Sequence, residues 1–379
     1  MITLTDYIAK YGDYSFKDRE FNYIDNLIFS QLVYINFEDI VTDSSYQFEL
    51  SYVAKRYYEI HSDYEINSLI KISAKAVDLL KECAKTKRFG STRLCNYVNN
   101  VNEDIDKQFA AINFILNDGS LLVAFRGTDI TVTGVKESAM LSYMFPVPAQ
   151  IEALHYFQET AMNHNGDVRL CGHSKGGNLA VFAAVNCSNS LKNKIVGIYE
   201  NDAPGFPKWF FDRYDYKQIK DNICLITPEG SVIGRMLFHD KTPLIVESSA
   251  VGLKQHQVST WSIGDDCSLK QVNAYDSTSD FVSDYINKTI DSLTDEDLEL
   301  FFDTLSYVAE NSGIDDFYDL KSINFIKVID IIDSIKILDY EQKERFKEIL
   351  KNVISDFTKY FLANKGINHW QKHIETNND

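Results

Sequence analysis

The stretch DVRLCGHSKGGNLAVFAAVN (167–186) constrains the fold of this chain more than any other. A short apolar run leads straight into Gly172-His173-Ser174-Lys175-Gly176, and an alanine-rich helical run leaves it, with no room for a loop between them. Such a reversal puts the apex residue in a strained backbone, and side chains two positions to either side would collide. Gly172 and Gly176 remove that collision, and Gly177 gives the helix further room to pack. The pattern is that of a G-x-S-x-G nucleophile elbow. Ser174 would then stand at a helix N-terminus, where free N–H groups stabilise developing negative charge. The plainer reading is a small residue in a tight turn, so the surroundings must decide.

They alternate between strand and helix. FAAINFILNDGSLLVAFRGTD (109–129) sets two β-rich runs on either side of NDG, which predicts a hairpin. A helix fits PAQIEALHYFQETAMNHNG (148–166), and KIVGIYEND (194–202) and NICLITPEG (222–230) read as further strands. This order predicts an α/β fold with a mostly parallel, doubly wound sheet flanked by helices. All prolines fall between Pro146 and Pro243, and both flanks read as helical. In the first, 68–87 has apolar residues at helical spacing. In the second, Thr294 and Asp297 form a capping box, and Phe346, Ile349, Leu350, Val353, Phe357 and Phe361 share one stripe. The expected organisation is an N-terminal helical segment (1–100), an α/β core (101–283) and a helical C-terminal appendage (284–379).

Charge and cysteine usage narrow the class. A net charge of −17 over 379 residues speaks against a nucleic-acid partner, whose phosphates need clustered Lys and Arg. No uninterrupted apolar stretch is long enough for a transmembrane helix, and the first residues do not read as a secretory signal. The six cysteines show no zinc-ligand spacing and read as reduced, buried thiols, which points to a cytoplasmic protein with no metal or cofactor.

AFRGT (124–128) and GHSKGGNLA (172–180), some fifty residues apart, together resemble the class 3 lipase group of α/β-hydrolases. The chain is more closely similar to a bacterial branch of lipase-like proteins, in which segments like FNYIDNLIFSQLVYINF (21–37) and YENDAPGF (199–206) flank the motifs. The resemblance spans about residues 20–265. It implies that Thr128 and the backbone N–H of Lys175 face an oxyanion, and that a histidine downstream of Ser174 is the base. His256 in KQHQVSTWSI is the expected one, with His239 as substitute. His369 and His373 read as solvated tail residues. The group's acid would follow the strand NICLITPEGSVIG, where this chain has Ser231; a serine cannot hold an imidazolium by charge. Asp202 and Glu229 are the candidates in its place. His173 reads as structural, and the Lys175 ammonium as solvated. The apolar run Met140–Phe145, within 129–150, lies where the group carries a lid.

The function this implies is a serine hydrolase cleaving carboxylic, acyl-lipid-like esters, with no cofactor or metal. The alternative is a non-catalytic binding or scaffold protein that retains the fold with an incomplete triad. Thioester or peptide hydrolysis stays open, as does the oligomeric state.

Overall fold

A computed structural model of the chain describes residues 2–42, 46–69, 71–129, 132–312 and 338–375, with side chains left undescribed at 71, 132, 309–312, 358 and from residue 360 onward. The expectations for Phe361, His369 and His373, and for residues 130 and 131 of the lid segment, lie outside the described side chains. The chain divides into two compact units, Met1–Leu141 with Phe145–Ser279 and Ser142–Met144 with Asp280–Asp379.

The first unit is built on one eight-stranded sheet whose order in space is the order in sequence. The strands are β1 (Phe48–Glu49), β2 (Arg93–Asn102), β3 (Lys107–Ile115), β4 (Leu121–Phe125), β5 (Val168–His173), β6 (Ile195–Asn201), β7 (Ile223–Pro228) and β8 (Leu244–Val246). β1 to β4 pair antiparallel, and β4 to β8 pair parallel. The β3–β4 hairpin turns at Asn117-Asp118-Gly119, where Gly119 takes φ +95°, a conformation that favours glycine.

The chain-order sheet differs from a doubly wound one, in which the strand order reverses and crossover helices cover both faces. Right-handed crossovers between successive neighbouring strands put their helices on one face only. The helices here are α1 (Leu4–Tyr11), α2 (Tyr23–Leu32), α3 (Leu50–Ile60), α4 (Asp63–Asn67), α5 (Lys71–Cys83) and α6 (Lys87–Gly90) before β2. Then come α7 (Val132–Met140), α8 (Pro148–Ala161), α9 (Lys175–Asn186), α10 (Asn189–Lys192) and α11 (Tyr214–Ile219). Along β4 the alternation sorts the two cores. Leu121, Val123 and Phe125 pack with α8, α9 and α11. Leu122 and Ala124 pack instead with α1, α2, α3 and α5. The N-terminal stretch therefore supplies the second cover of the sheet. It also carries strands, β1 and most of β2, which its helical reading missed. The asparagine-rich β2 has weak β propensity, and a bulge between Cys95 and Val98 interrupts its register.

The second unit is helical: α12 (Ser277–Ser292), α13 (Asp295–Ser312) and α14 (Tyr340–Glu375). Phe346 is buried and stacks on Phe301 with ring centroids 5.6 Å apart. Thr294 Oγ1 accepts the Asp297 N–H as the capping pattern predicts, while the Asp297 carboxylate takes a forked bond from Arg345 at 2.8 and 2.5 Å. No described helix is long and apolar enough to cross a membrane.

Candidate active site

β5 ends at His173 and α9 begins at Lys175, so Ser174 alone makes the turn, at φ 56° and ψ −136°. This is a rare backbone for a non-glycine residue, and the glycines show why it is accessible. A Cβ on Gly172 would stand 2.1 Å from the Gly176 carbonyl carbon, and one on Gly176 would stand 2.2 Å from Phe125 O. Hydrogen bonds hold the turn from both sides: the Ser174 N–H donates to Asn201 O, and the Gly177 N–H to Ser174 O, each at 2.9 Å. A side chain on Gly127 would meet His173 O at 2.3 Å and Ser174 Cβ at 3.1 Å. The AFRGT turn is thus packed directly against the elbow. The Thr128 hydroxyl is hydrogen-bonded to Ser138 of α7, and Lys175 is the first residue of α9.

His256 closes the short 3₁₀ turn Gly252–His256. Its Nδ1 lies 2.6 Å from Asp202 Oδ2, with the carboxylate fully buried. Asp202 follows β6 at φ 48°, a left-handed turn that aspartate tolerates, with its N–H donating to Ile226 O at 2.8 Å. Its other oxygen, Oδ1, accepts the hydroxyl of Ser231. A Cβ on Gly234 would stand 2.2 Å from that oxygen, so a glycine is needed there too. Glu229 is turned elsewhere, its Oε1 accepting the Ser248 N–H at 3.2 Å. His239 Nδ1 lies 3.3 Å from Glu200 Oε1, and burial lowers the pKa of His239 to about 4. Of the sequence candidates, Asp202 and His256 are therefore brought together, and Glu229 and His239 are not part of that pair. Among the described residues the Ser174 hydroxyl makes no hydrogen bond to His256. Such contacts commonly tighten only when substrate binds.

Two surroundings escaped the sequence reading. The Lys175 ammonium, expected to be solvated, is fully buried. It contacts Glu137 Oε2 at 2.5 Å and Gln108 O at 2.8 Å. Burial lowers its pKa and the facing Glu137 carboxylate pushes it back up. Glu137 also accepts the N–H groups of Gln108 and Ala149, at 3.0 and 2.8 Å. α7 is thus tied to the elbow. The second is the set of groups around the His256 turn. Gln255 Oε1 accepts the Gly230 N–H, and the Trp261 indole donates to Gln255 O, both at 2.9 Å. His173 reaches His256 O at 2.7 Å. The KQHQVSTW spacing carried part of this signal. Glu137 had none, because nothing in a polar position on a short helix announces a lysine partner 38 residues downstream.

The family model for Mbeg1-like proteins matches residues 83–307, more than half of the chain and all of Thr128, Ser174, Lys175, Asp202, Glu229 and His256. Among solved structures the chain is similar to the crystal structure of M37 lipase, at 17% identity and a TM-score of 0.33, over 55% of this chain and 67% of that one. A comparison with curated proteins returned no match.

Proposed function

We propose that this chain, which belongs to the Mbeg1-like family, is a serine hydrolase of carboxylic esters with Ser174 as nucleophile, His256 as base and Asp202 as acid. One observation carries the proposal: a buried 2.6 Å contact from His256 Nδ1 to Asp202, in the same unit as a serine held at a strained elbow. A carboxylate accepts, so Nδ1 bears the proton and Nε2 keeps its lone pair for the serine.

In the proposed reaction His256 Nε2 takes the Ser174 proton as Oγ adds to the ester carbonyl. The oxyanion accepts from the Lys175 N–H and from Thr128, while Asp202 holds the imidazolium. The imidazolium returns its proton to the departing alkoxide, leaving an acyl-serine. Water then adds to that acyl group, giving its proton to His256, and the acid is released as Ser174 is reprotonated. Acyl-lipid-like esters are the proposed substrates. Support comes from the apolar run after the oxyanion turn, where Met140 and Leu141 are buried and Phe145 packs on Phe182, Phe206 and Trp209.

A fluorophosphonate probe should label the protein covalently, and Ser174→Ala should abolish the label. p-Nitrophenyl esters should be turned over by the wild type only. No labelling of folded wild type, or equal labelling of the alanine variant, would sink the proposal.

A further inference from the structure

We propose that His173 is a positioning residue for His256, held in one neutral tautomer by Tyr34 and fixing the backbone from which the His256 imidazole reaches Asp202. The inference rests on the reading of His256 as the base.

His173 is buried, with Tyr34 on one ring nitrogen and the main chain of His256 on the other. The His256 carbonyl can only accept, so the proton of His173 sits on Nε2 and is donated across 2.7 Å. Nδ1 is then a bare acceptor, and the Tyr34 hydroxyl donates to it across 3.1 Å. The two imidazoles lie close, with centroids 4.4 Å apart. Burial, and His256 beside it, keep His173 well below the usual histidine range, so it stays neutral while its neighbour takes up a proton.

The geometry gives His256 two anchors, the side chain on Asp202 and the main chain on His173. His173 is the last residue of β5 and the direct neighbour of Ser174. The proposed base is therefore tied to the strand that carries the proposed nucleophile, through one rigid ring. The Tyr34 hydroxyl has a second boundary, since a side chain on Gly127 would stand 2.3 Å from it. A single hydroxyl just beyond α2 thus lies against the oxyanion turn and orients the ring that holds the base.

The test uses the full chain with His173→Leu, His173→Gln and Tyr34→Phe. The first readouts are fluorophosphonate labelling rate against pH, and kcat and KM on a p-nitrophenyl ester. The second is the ¹⁵N and Nδ1–H NMR signal of His256. His173→Leu should slow labelling by about 10²-fold with KM nearly unchanged, because a misplaced catalytic group costs on that order. It should also move the pH midpoint of labelling. His173→Gln, whose amide N–H can still reach the His256 carbonyl, should recover most of that loss. A folded leucine variant that labels at the wild-type rate overturns the proposal, as does a glutamine variant no better than leucine. If His173→Leu does not fold, Tyr34→Phe decides: an unchanged rate and pH midpoint overturn the proposal, and a slower rate with a moved midpoint supports it. If wild type is not labelled at all, the hydrolase reading falls, but the NMR arm still decides this one. An Nδ1–H signal of His256 unchanged between wild type and the folded variants overturns it, and a shifted or lost signal supports it.

Discussion

Ser231, which the resemblance to class 3 lipases sets where that group carries its acid, donates its hydroxyl to Asp202, the carboxylate on His256. β6 and β7 are adjacent and parallel, so the loops leaving them open at one edge of the sheet, about 5 Å apart. A carboxylate on either loop can reach the same imidazole nitrogen. In the proposed site the acid stands on the loop after β6, and Ser231 supports it from the loop after β7. Ser231→Ala should remove a hydrogen bond to a buried charged group and cost about 1.5–3 kcal/mol in urea denaturation, with labelling slowed but retained. Asp202→Asn should keep the fold and lower kcat by about 10⁴-fold, since the amide can donate to the ring and favour the wrong tautomer. Activity in Asp202→Asn comparable to Ser231→Ala would count against Asp202 as the acid. The tight turn at Ser174 was legible because its glycines mark it locally, while His256 was a candidate through the resemblance. Which of Asp202 and Glu229 lies against His256 was not legible, because it depends on a left-handed turn at Asp202 that brings its side chain there.

At the scale of elements, the helix after the AFRGT turn is held in place by a buried charge. Glu137 of α7 and Lys175 of α9 form a pair with both side chains fully buried, and Gln108 at the start of β3 bonds to each. An ion pair removed from water is stable only while both partners remain. Lys175→Met should cost about 3–5 kcal/mol in denaturant unfolding, because Glu137 is left as an uncompensated buried charge. Lys175→Met with Glu137→Leu should recover most of that loss, and a double-mutant cycle showing no coupling would mean the pair does not act as one. The same helix explains the limit of reading a lid from composition. Met140 and Leu141 are buried as their hydrophobicity predicts, but the anchor of the segment is an acid whose partner follows Ser174. The strands β3 to β7 and the helices α8 and α9 were legible from their apolar runs and flanking turn residues, whereas α7, α10 and α11 carry no comparable signal. β2 was not legible either, since its asparagines disguise a strand that the neighbouring β3 holds in place.

For the whole first unit, a sheet covered on both faces leaves titratable groups where water does not reach. Glu200 of β6 is buried, and burial raises its pKa well above the usual carboxylate range. Facing it are His239, kept neutral by burial with a pKa of about 4, and Tyr216, whose phenol is pushed up by burial, Asp240 and Glu200. The two members of the pair respond to pH in opposite senses. His239 binds a proton less readily folded than unfolded, so its contribution is present above the ordinary histidine range and is lost as pH falls toward about 4. Glu200 binds a proton more readily folded, so its contribution is present below the ordinary carboxylate pKa and is lost as pH rises through the raised folded value. Glu200→Gln removes that second dependence and leaves the first. Relative to wild type, the variant should therefore gain stability as pH rises from about 5 to 8, by at most about 1.4 kcal/mol per pH unit, until wild-type Glu200 ionises in the fold. Urea unfolding of both proteins at four pH values across that window reads the difference directly. A gap that stays constant with pH would mean Glu200 is ionised in the fold throughout, with its charge satisfied by the groups that face it.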